Sequence, residues 1–136
     1  MTPEQITLVQ DSFAKVRPIA DTAADLFYGR LFEIAPAVRP MFPEDMREQK
    51  KKLMAMLGLA VTNLDKPDIV VPALQKLGRQ HAAFGTEAAH YEPVGEALLW
   101  TLEQGLGPDF TPAVRAAWVE TYGLVAGVMK AAAAEA

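Results

Sequence analysis

Residues 81–95 read HAAFGTEAAHYEPVG and contain both histidines of the chain. Around the first histidine, four side chains recur at steps of three and four residues: Leu74, Leu77, His81 and Phe84. This spacing predicts one face of an α-helix over residues 69–84, which Gly85 would end. A histidine on an apolar helix face is either a core side chain bonded to a backbone carbonyl or a ligand for a cofactor, and the spacing allows both.

The helical period extends over the rest of the chain, whereas the alternation typical of strands is almost absent. Thr2 and Gln5 predict a capping box at the start of the first helix. Further helices are predicted over residues 18–34, 46–64 and 93–106, and from Thr111 to an alanine-rich end that would fray. Three prolines within residues 35–43 exclude a long helix there and predict an irregular corner. The pattern therefore predicts a single all-α domain over residues 1–136.

Composition narrows the classes of function. The hydrophobic fraction of 51% is enough for a packed core, and a net charge of −4 offers no broad basic surface, so nucleic acid is not an expected partner. The absence of cysteine excludes disulfides, thiolate zinc sites and haem attached through a thioether, but it leaves haem held by histidine.

Two features of the sequence bear on its location. The longest apolar run, residues 53–61, is shorter than the about 20 residues that a membrane span needs. The first residues, MTPEQ, have no basic segment ahead of an apolar run, so no signal peptide is predicted. We therefore expect a soluble, cytoplasmic protein without a membrane partner.

Several other side chains could carry chemistry, although none is specific alone. Tyr28 lies at the edge of a predicted buried stripe, either as an ordinary core tyrosine or as a hydroxyl directed at a ligand. Gln49 precedes Leu53 by four residues, so the two share a helix face, and an exposed glutamine is the simpler interpretation. Phe42 would usually be a loop anchor. Lys50, Lys51 and Lys52 indicate a solvated face.

Taken in order, these residues resemble the globins, in particular the single-domain bacterial globins related to the haem domain of flavohaemoglobins. The resemblance covers residues 6–129 and is carried by Leu26-Phe27-Tyr28, Pro36 with Phe42, Gln49 with Leu53, Leu77 with His81, and His90-Tyr91 with Val94-Gly95. It implies the globin fold, a three-over-three helical sandwich, around haem b.

The resemblance also implies roles for individual residues. His81 matches the proximal iron ligand, and Phe42 matches the aromatic residue that stacks on the porphyrin. Leu77 and Val94 match positions that contact the haem. Tyr91 matches the tyrosine that supports the proximal side by hydrogen bonding near the ligand histidine.

On the opposite, distal side, Tyr28, Gln49 and Leu53 match the positions that surround a bound gas. Dioxygen gains partial negative charge at ferrous iron, so hydrogen-bond donors stabilise it. A hydrogen bond to a charged acceptor is worth about 1.5–3 kcal/mol, or roughly one to two powers of ten in dissociation. Tyr28 and Gln49 would therefore slow oxygen release, and Leu53 would limit the space over the iron. Tyr28 could also approach ferric iron as a sixth ligand.

The sequence departs from flavohaemoglobins in two respects. The glutamate that completes a histidine–tyrosine–glutamate chain behind the iron is matched here by Ala133, and Glu135 lies on the wrong side of the helix. Because such carboxylates tune the iron ligand, peroxidase-like chemistry is disfavoured. The reductase domain is also absent, so turnover would need a separate reductase.

Four functions remain open on the sequence. The leading one is reversible dioxygen binding for storage, transport or scavenging, and nitric oxide and carbon monoxide are further ligands implied by the resemblance. The alternative is nitric oxide dioxygenation with a separate reductase. A gas sensor and a haem-free helical interaction domain are the remaining hypotheses. The resemblance implies a monomer or a weak homodimer.

Overall fold

The computed structural model describes residues 1–135, which fold into six α-helices. They are α1 (Pro3–Val16), α2 (Ala20–Ile34), α3 (Arg47–Thr62), α4 (Pro67–Ala83), α5 (Tyr91–Leu106) and α6 (Pro112–Ala134). Short 3₁₀ turns cover Arg17–Ile19, Pro36–Met41, Ala88–His90 and Gly107–Asp109. No strand occurs within residues 1–135, and the prediction of an all-α fold is confirmed.

The helix ends follow from capping residues and prolines. The Thr2 side chain accepts from the backbone N–H of Gln5, and the Gln5 side chain accepts from the N–H of Thr2, so the predicted capping box is present. Thr111 caps α6 in the same way, with Pro112 at the first helical position. The corner between α2 and α3 is a 3₁₀ turn, as expected from its prolines.

The helices pack in two layers, with α1, α3 and α4 lying against α2, α5 and α6. The main core joins the first and last helices. Trp118 and Phe13 are almost completely buried, and the Trp118 indole N–H donates to the Ser12 hydroxyl at 2.9 Å. Since Ser12 Oγ also lies 3.0 Å from the Val9 carbonyl oxygen, the buried polar atoms of this contact are satisfied.

Two glycines allow close approach on the side of α4. A Cβ at Gly78 would overlap the backbone of Met129, so α4 lies directly against the main chain of α6. A Cβ at Gly95 would lie 2.7 Å from the Tyr122 ring, so α5 also approaches α6 closely. The contact at Gly78 fixes the position of α4, which carries His81, against α6, and the contact at Gly95 fixes α5 against the same helix.

The structure corrects three of the predicted helix boundaries. The first turn of the predicted 18–34 helix is a separate 3₁₀ turn, because Pro18 stands at that point. The helix after His81 starts at Tyr91, preceded by a 3₁₀ turn, and not at Pro93. The alanine-rich end does not fray, since α6 continues to Ala134 with Ala132 buried. No helix in the described range is long and apolar enough to cross a membrane.

Candidate functional site

His81 lies near the end of α4 with its ring half-buried and its orientation fixed. Its Nδ1 is 2.9 Å from the backbone carbonyl oxygen of Leu77, one turn earlier in the same helix. Because a carbonyl oxygen can only accept, Nδ1 carries a proton, and in the neutral imidazole Nε2 then holds the lone pair that can bind a metal. The structure shows the bond to a backbone carbonyl, and this bond is compatible with a ligand role as well, since a carbonyl bond also orients a metal-ligating histidine.

Tyr28 and Gln49 meet across the interface between α2 and α3. The Gln49 amide nitrogen donates to the Tyr28 hydroxyl oxygen at 3.1 Å. Tyr28 is 4% exposed, and burial raises the pKa of its hydroxyl, while the hydrogen bond from Gln49 opposes that shift. The phenol therefore stays protonated, and its own O–H hydrogen remains free to donate to a further acceptor.

Phe42 joins an aromatic cluster around Tyr28, formed by Phe27, Tyr28, Phe32 and Phe42. The rings of Phe42 and Tyr28 pack edge to face at 5.6 Å between centroids, and Phe32 lies 5.5 Å from Phe42. Phe27 closes the other side of Tyr28 at 4.9 Å. Edge-to-face packing of this kind fixes ring orientation, so the Tyr28 hydroxyl points in a defined direction.

Leu53, Leu77 and Val94 come from α3, α4 and α5, and all three are half-buried. Leu74 and Leu98, one turn away from Leu77 and Val94 on the same helices, are buried. Half-exposed apolar side chains beside a buried core are the kind of lining that a pocket for a flat apolar cofactor has.

Tyr91 has different contacts from those that the resemblance implied. The Tyr122 hydroxyl donates to the backbone carbonyl oxygen of Tyr91 at 2.5 Å, and the Lys130 ammonium lies 5.8 Å from the centre of the Tyr91 ring. Within residues 1–135 the hydrogen bond of the His81 ring goes to Leu77 and not to Tyr91. A direct role of Tyr91 beside His81 therefore stays a prediction. Ala133 is half-buried one turn beyond Met129.

The sequence did not indicate three side-chain contacts in and around the site. Lys50 is not simply part of a solvated face, because its ammonium pairs with Asp25 of α2 at 2.8 Å, next to the Tyr28–Gln49 contact. Arg39 contacts the corner and Phe32 at once. Tyr122 reaches the main chain of α5. All three are contacts between different elements, which the helical period of one segment does not reveal.

A sequence model of the family named Globin matches residues 25–129. The matched range covers most of the chain, including every residue of the candidate site. The chain belongs to the globin family.

Several known proteins are similar to this globin. Neuroglobin from Danio rerio is 31% identical over 90% of this chain and 86% of its own length. A flavohemoprotein from Xylella fastidiosa is 27% identical over 95% of this chain. The chain spans only 33% of that protein and 31% of the flavohemoprotein of Bacillus subtilis.

Solved structures agree with the fold. A bacterial globin from Campylobacter jejuni superposes with a TM-score of 0.88 at 26% identity and covers 98% of this chain and 97% of its own. An engineered carbene transferase, made from a provisionally assigned nitric oxide dioxygenase of Rhodothermus marinus, superposes with a TM-score of 0.89 at 27% identity and covers 99% of this chain and 94% of its own. The two-layer arrangement is therefore the globin fold, and the family supports haem-based binding of diatomic gases.

The residues of this globin fit a haem. The described range contains no group of three or more His, Cys, Asp or Glu side chains that could hold a metal ion. His81 would be the residue to hold the haem iron, because its Nδ1 is bonded to the Leu77 carbonyl oxygen and its Nε2 is left for a metal. The half-buried Leu53, Leu77 and Val94 match the apolar faces of the haem.

Proposed function

We propose that this globin is a haem b protein that binds dioxygen reversibly, with His81 as the proximal ligand and Tyr28 as the main donor to the bound gas. Haem would supply the iron that binds a diatomic molecule and would shift electron density onto it. The observation that carries the proposal is the hydrogen bond from Gln49 to the Tyr28 oxygen, because it leaves the Tyr28 hydrogen for a ligand.

Gln49 acts through Tyr28 in this arrangement. The Gln49 amide donates a hydrogen bond to the Tyr28 hydroxyl oxygen. This bond polarises the phenol and so strengthens the hydrogen bond that the phenol itself donates. Tyr28 is buried among aromatic rings, so water competes poorly for its hydrogen. Leu53, four residues after Gln49 on α3, limits the space for larger ligands.

His81 keeps its ring in one plane through the bond from Nδ1 to the Leu77 carbonyl oxygen. That bond is the kind of second interaction that fixes the tautomer and orientation of a ligating imidazole. Leu77 and Val94 would contact the haem faces, and Phe42 would stack at its edge. Diatomic gases are the proposed partners, with no nucleic acid among them, and we propose a cytoplasmic monomer or weak homodimer.

The first experiment is an absorption spectrum of the purified chain loaded with haem b, taken in the ferric and ferrous states and then with dioxygen and carbon monoxide. A Soret band that shifts with each gas supports the proposal. A chain that folds but takes up no haem would overturn it and favour a haem-free helical interaction domain. His81→Ala should lose the axial nitrogen signature, and added imidazole should restore it.

The second experiment tests the donor. Tyr28→Phe should release dioxygen about tenfold or more faster, because a hydrogen bond to a charged acceptor is worth about 1.5–3 kcal/mol. Tyr122→Phe is the comparison variant, since it removes the hydroxyl of a half-buried tyrosine that bonds to the Tyr91 main chain and has no contact with Gln49. An unchanged release rate in Tyr28→Phe, measured by stopped-flow mixing, would refute the donor role.

Nitric oxide dioxygenation is the second candidate function. The similarity to flavohemoproteins and to the Rhodothermus marinus protein favours it, and the same Tyr28 and Gln49 would serve both functions. The chain spans about a third of the flavohemoproteins, and this candidate function would need a reductase to supply electrons. Persistently slow reduction of the ferric protein by cellular reductases would exclude this function and would leave reversible binding intact.

A further inference from the structure

Arg39 lies in the corner between α2 and α3 and donates to three consecutive carbonyl oxygens. Its Nη1 is 3.2 Å from the Phe42 oxygen and 3.1 Å from the Pro43 oxygen, and its Nη2 is 3.4 Å from the Glu44 oxygen. Among the described residues, no backbone N–H donates to these three oxygens. The guanidinium therefore takes the place of the backbone pairing that a corner rich in proline cannot supply.

The same guanidinium contacts the aromatic cluster. Its carbon lies 5.0 Å from the centre of the Phe32 ring, which packs 5.9 Å from Tyr28 and 5.5 Å from Phe42. One half-buried side chain thus connects the main chain of the corner with the face of α2 that carries Tyr28. Only a planar group with several donors can bind a run of carbonyls and stack on a ring together.

We propose that Arg39 is a positioning residue of the gas-binding site, which holds Phe42 against Tyr28 and so fixes the direction of the Tyr28 hydroxyl. The inference rests on the proposed role of Tyr28 as donor. When the corner is released, Phe42 can move away from the edge of the Tyr28 ring. The phenol then gains freedom to turn, and water gains access to its hydrogen.

The decisive variant is Arg39→Lys in the haem-loaded protein. Lysine keeps the charge but offers a compact ammonium, which cannot bind three carbonyls and lie flat on Phe32. We expect dioxygen release to become about threefold to tenfold faster, because charge-assisted bonds that hold the corner are lost. The carbon monoxide stretching frequency should shift towards that of Tyr28→Phe, since the frequency reports the donor beside the gas.

A structural readout accompanies the kinetic one. The Phe42 amide, which donates to the Arg39 carbonyl oxygen at 3.1 Å, should exchange its hydrogen faster in Arg39→Lys, whereas exchange in α4 around His81 should stay unchanged. Arg30→Lys is the matched control, because Arg30 also stacks on an aromatic ring, Trp100 at 5.2 Å, and pairs with Glu33, but it does not contact the corner. Its release rate and stretching frequency should equal those of the parent chain.

The outcomes separate the two proposals. If Tyr28→Phe speeds release and Arg39→Lys does not, the positioning role is overturned and the donor role stands. If Tyr28→Phe has no effect, both are overturned. The double variant of Arg39→Lys and Tyr28→Phe should release dioxygen no faster than Tyr28→Phe alone, and additive effects would also overturn the positioning role, because Arg39 would then act elsewhere.

Discussion

The distal and proximal sides of the site that we propose are constructed differently. On the distal side, Tyr28, Gln49 and Phe42 come from separate elements and meet through their side chains. On the proximal side, α4 lies against the backbone of α6 at Gly78, and His81 bonds to its own helix. We therefore expect single substitutions to adjust the distal side and with it the binding strength, whereas the proximal side should change only when helices move.

The strongest way to break this contrast is a substitution at Gly78. Gly78→Ala should lower the free energy of unfolding by about 1–3 kcal/mol, because the new methyl group meets main-chain atoms of Met129 that cannot turn aside. Urea unfolding followed by circular dichroism measures this effect. Gly123→Ala is the control. It lies on an exposed face of α6 with nothing nearby, and it should stabilise by about 0.5–1 kcal/mol.

If Gly78→Ala were as stable as the parent chain, α4 would be able to slide on α6. The proximal side would then be as adjustable as the distal side.

Alkaline pH should lower the free energy of unfolding, by an amount that depends on how many tyrosines have a raised pKa. Burial raises the pKa of Tyr28, Tyr91 and Tyr122 above the usual value of about 10. A group whose folded pKa is raised contributes stability that is present below the unfolded pKa and is lost as pH rises through the folded pKa. Stability should thus fall above about pH 10, by about 1.4 kcal/mol per pH unit for each fully shifted tyrosine.

Tyr122→Phe should reduce the slope of unfolding free energy against pH by the contribution of one tyrosine, about 1.4 kcal/mol per pH unit. Urea unfolding between pH 9 and 11.5, in roughly half-unit steps, measures the slope. An identical slope in the variant would show that Tyr122 titrates alike in the folded and unfolded chain.

Gln49→Ala should have a smaller effect than Tyr28→Phe. Removing a neutral hydrogen bond costs about 0.5–1.5 kcal/mol, or roughly twofold to tenfold faster dioxygen release. Because Gln49 acts through Tyr28, the double variant with Tyr28→Phe should match Tyr28→Phe alone. Additive effects in stopped-flow release would instead indicate that Gln49 contacts the gas directly.

The smallest effect is expected at the ion pair that ties α3 to α2 beside the site. Asp25→Asn should destabilise by about 0.2–1 kcal/mol, because the Asp25 side chain is 64% exposed and solvent screens its pair with Lys50. Release of dioxygen should change less than about twofold. A larger kinetic effect would mean that this surface pair sets the position of Gln49 against Tyr28.

Much of this architecture could be predicted because it depends on local signals. The capping box at Thr2, the proline corner and the helical face ending at His81 are all encoded within a few neighbouring residues. The family resemblance supplied the set of Tyr28, Gln49 and His81 together. Its globin identity is confirmed, while the individual roles remain predictions.

The parts that could not be predicted depend on the angles between helices. Tyr28 and Gln49 are 21 residues apart, and no period of either helix indicates that their side chains meet. In the sequence Arg39 is indistinguishable from a solvated loop residue. Its contacts with backbone carbonyl oxygens and with Phe32 are visible only in the structure. The alanine-rich end was expected to fray, but burial of Ala132 against the neighbouring helices keeps α6 intact, which is a tertiary effect.

The contact between Ser12 and Trp118 has a consequence for how the chain is made. The two residues are 106 positions apart, so at about 5–20 residues per second the first helix waits roughly 5–20 seconds for its partner to be synthesised. During that interval the apolar face of α1 around Phe13 has no α6 to cover it. A chain interrupted before α6 therefore leaves this face open to water, and uncovered faces of this kind lead to aggregation.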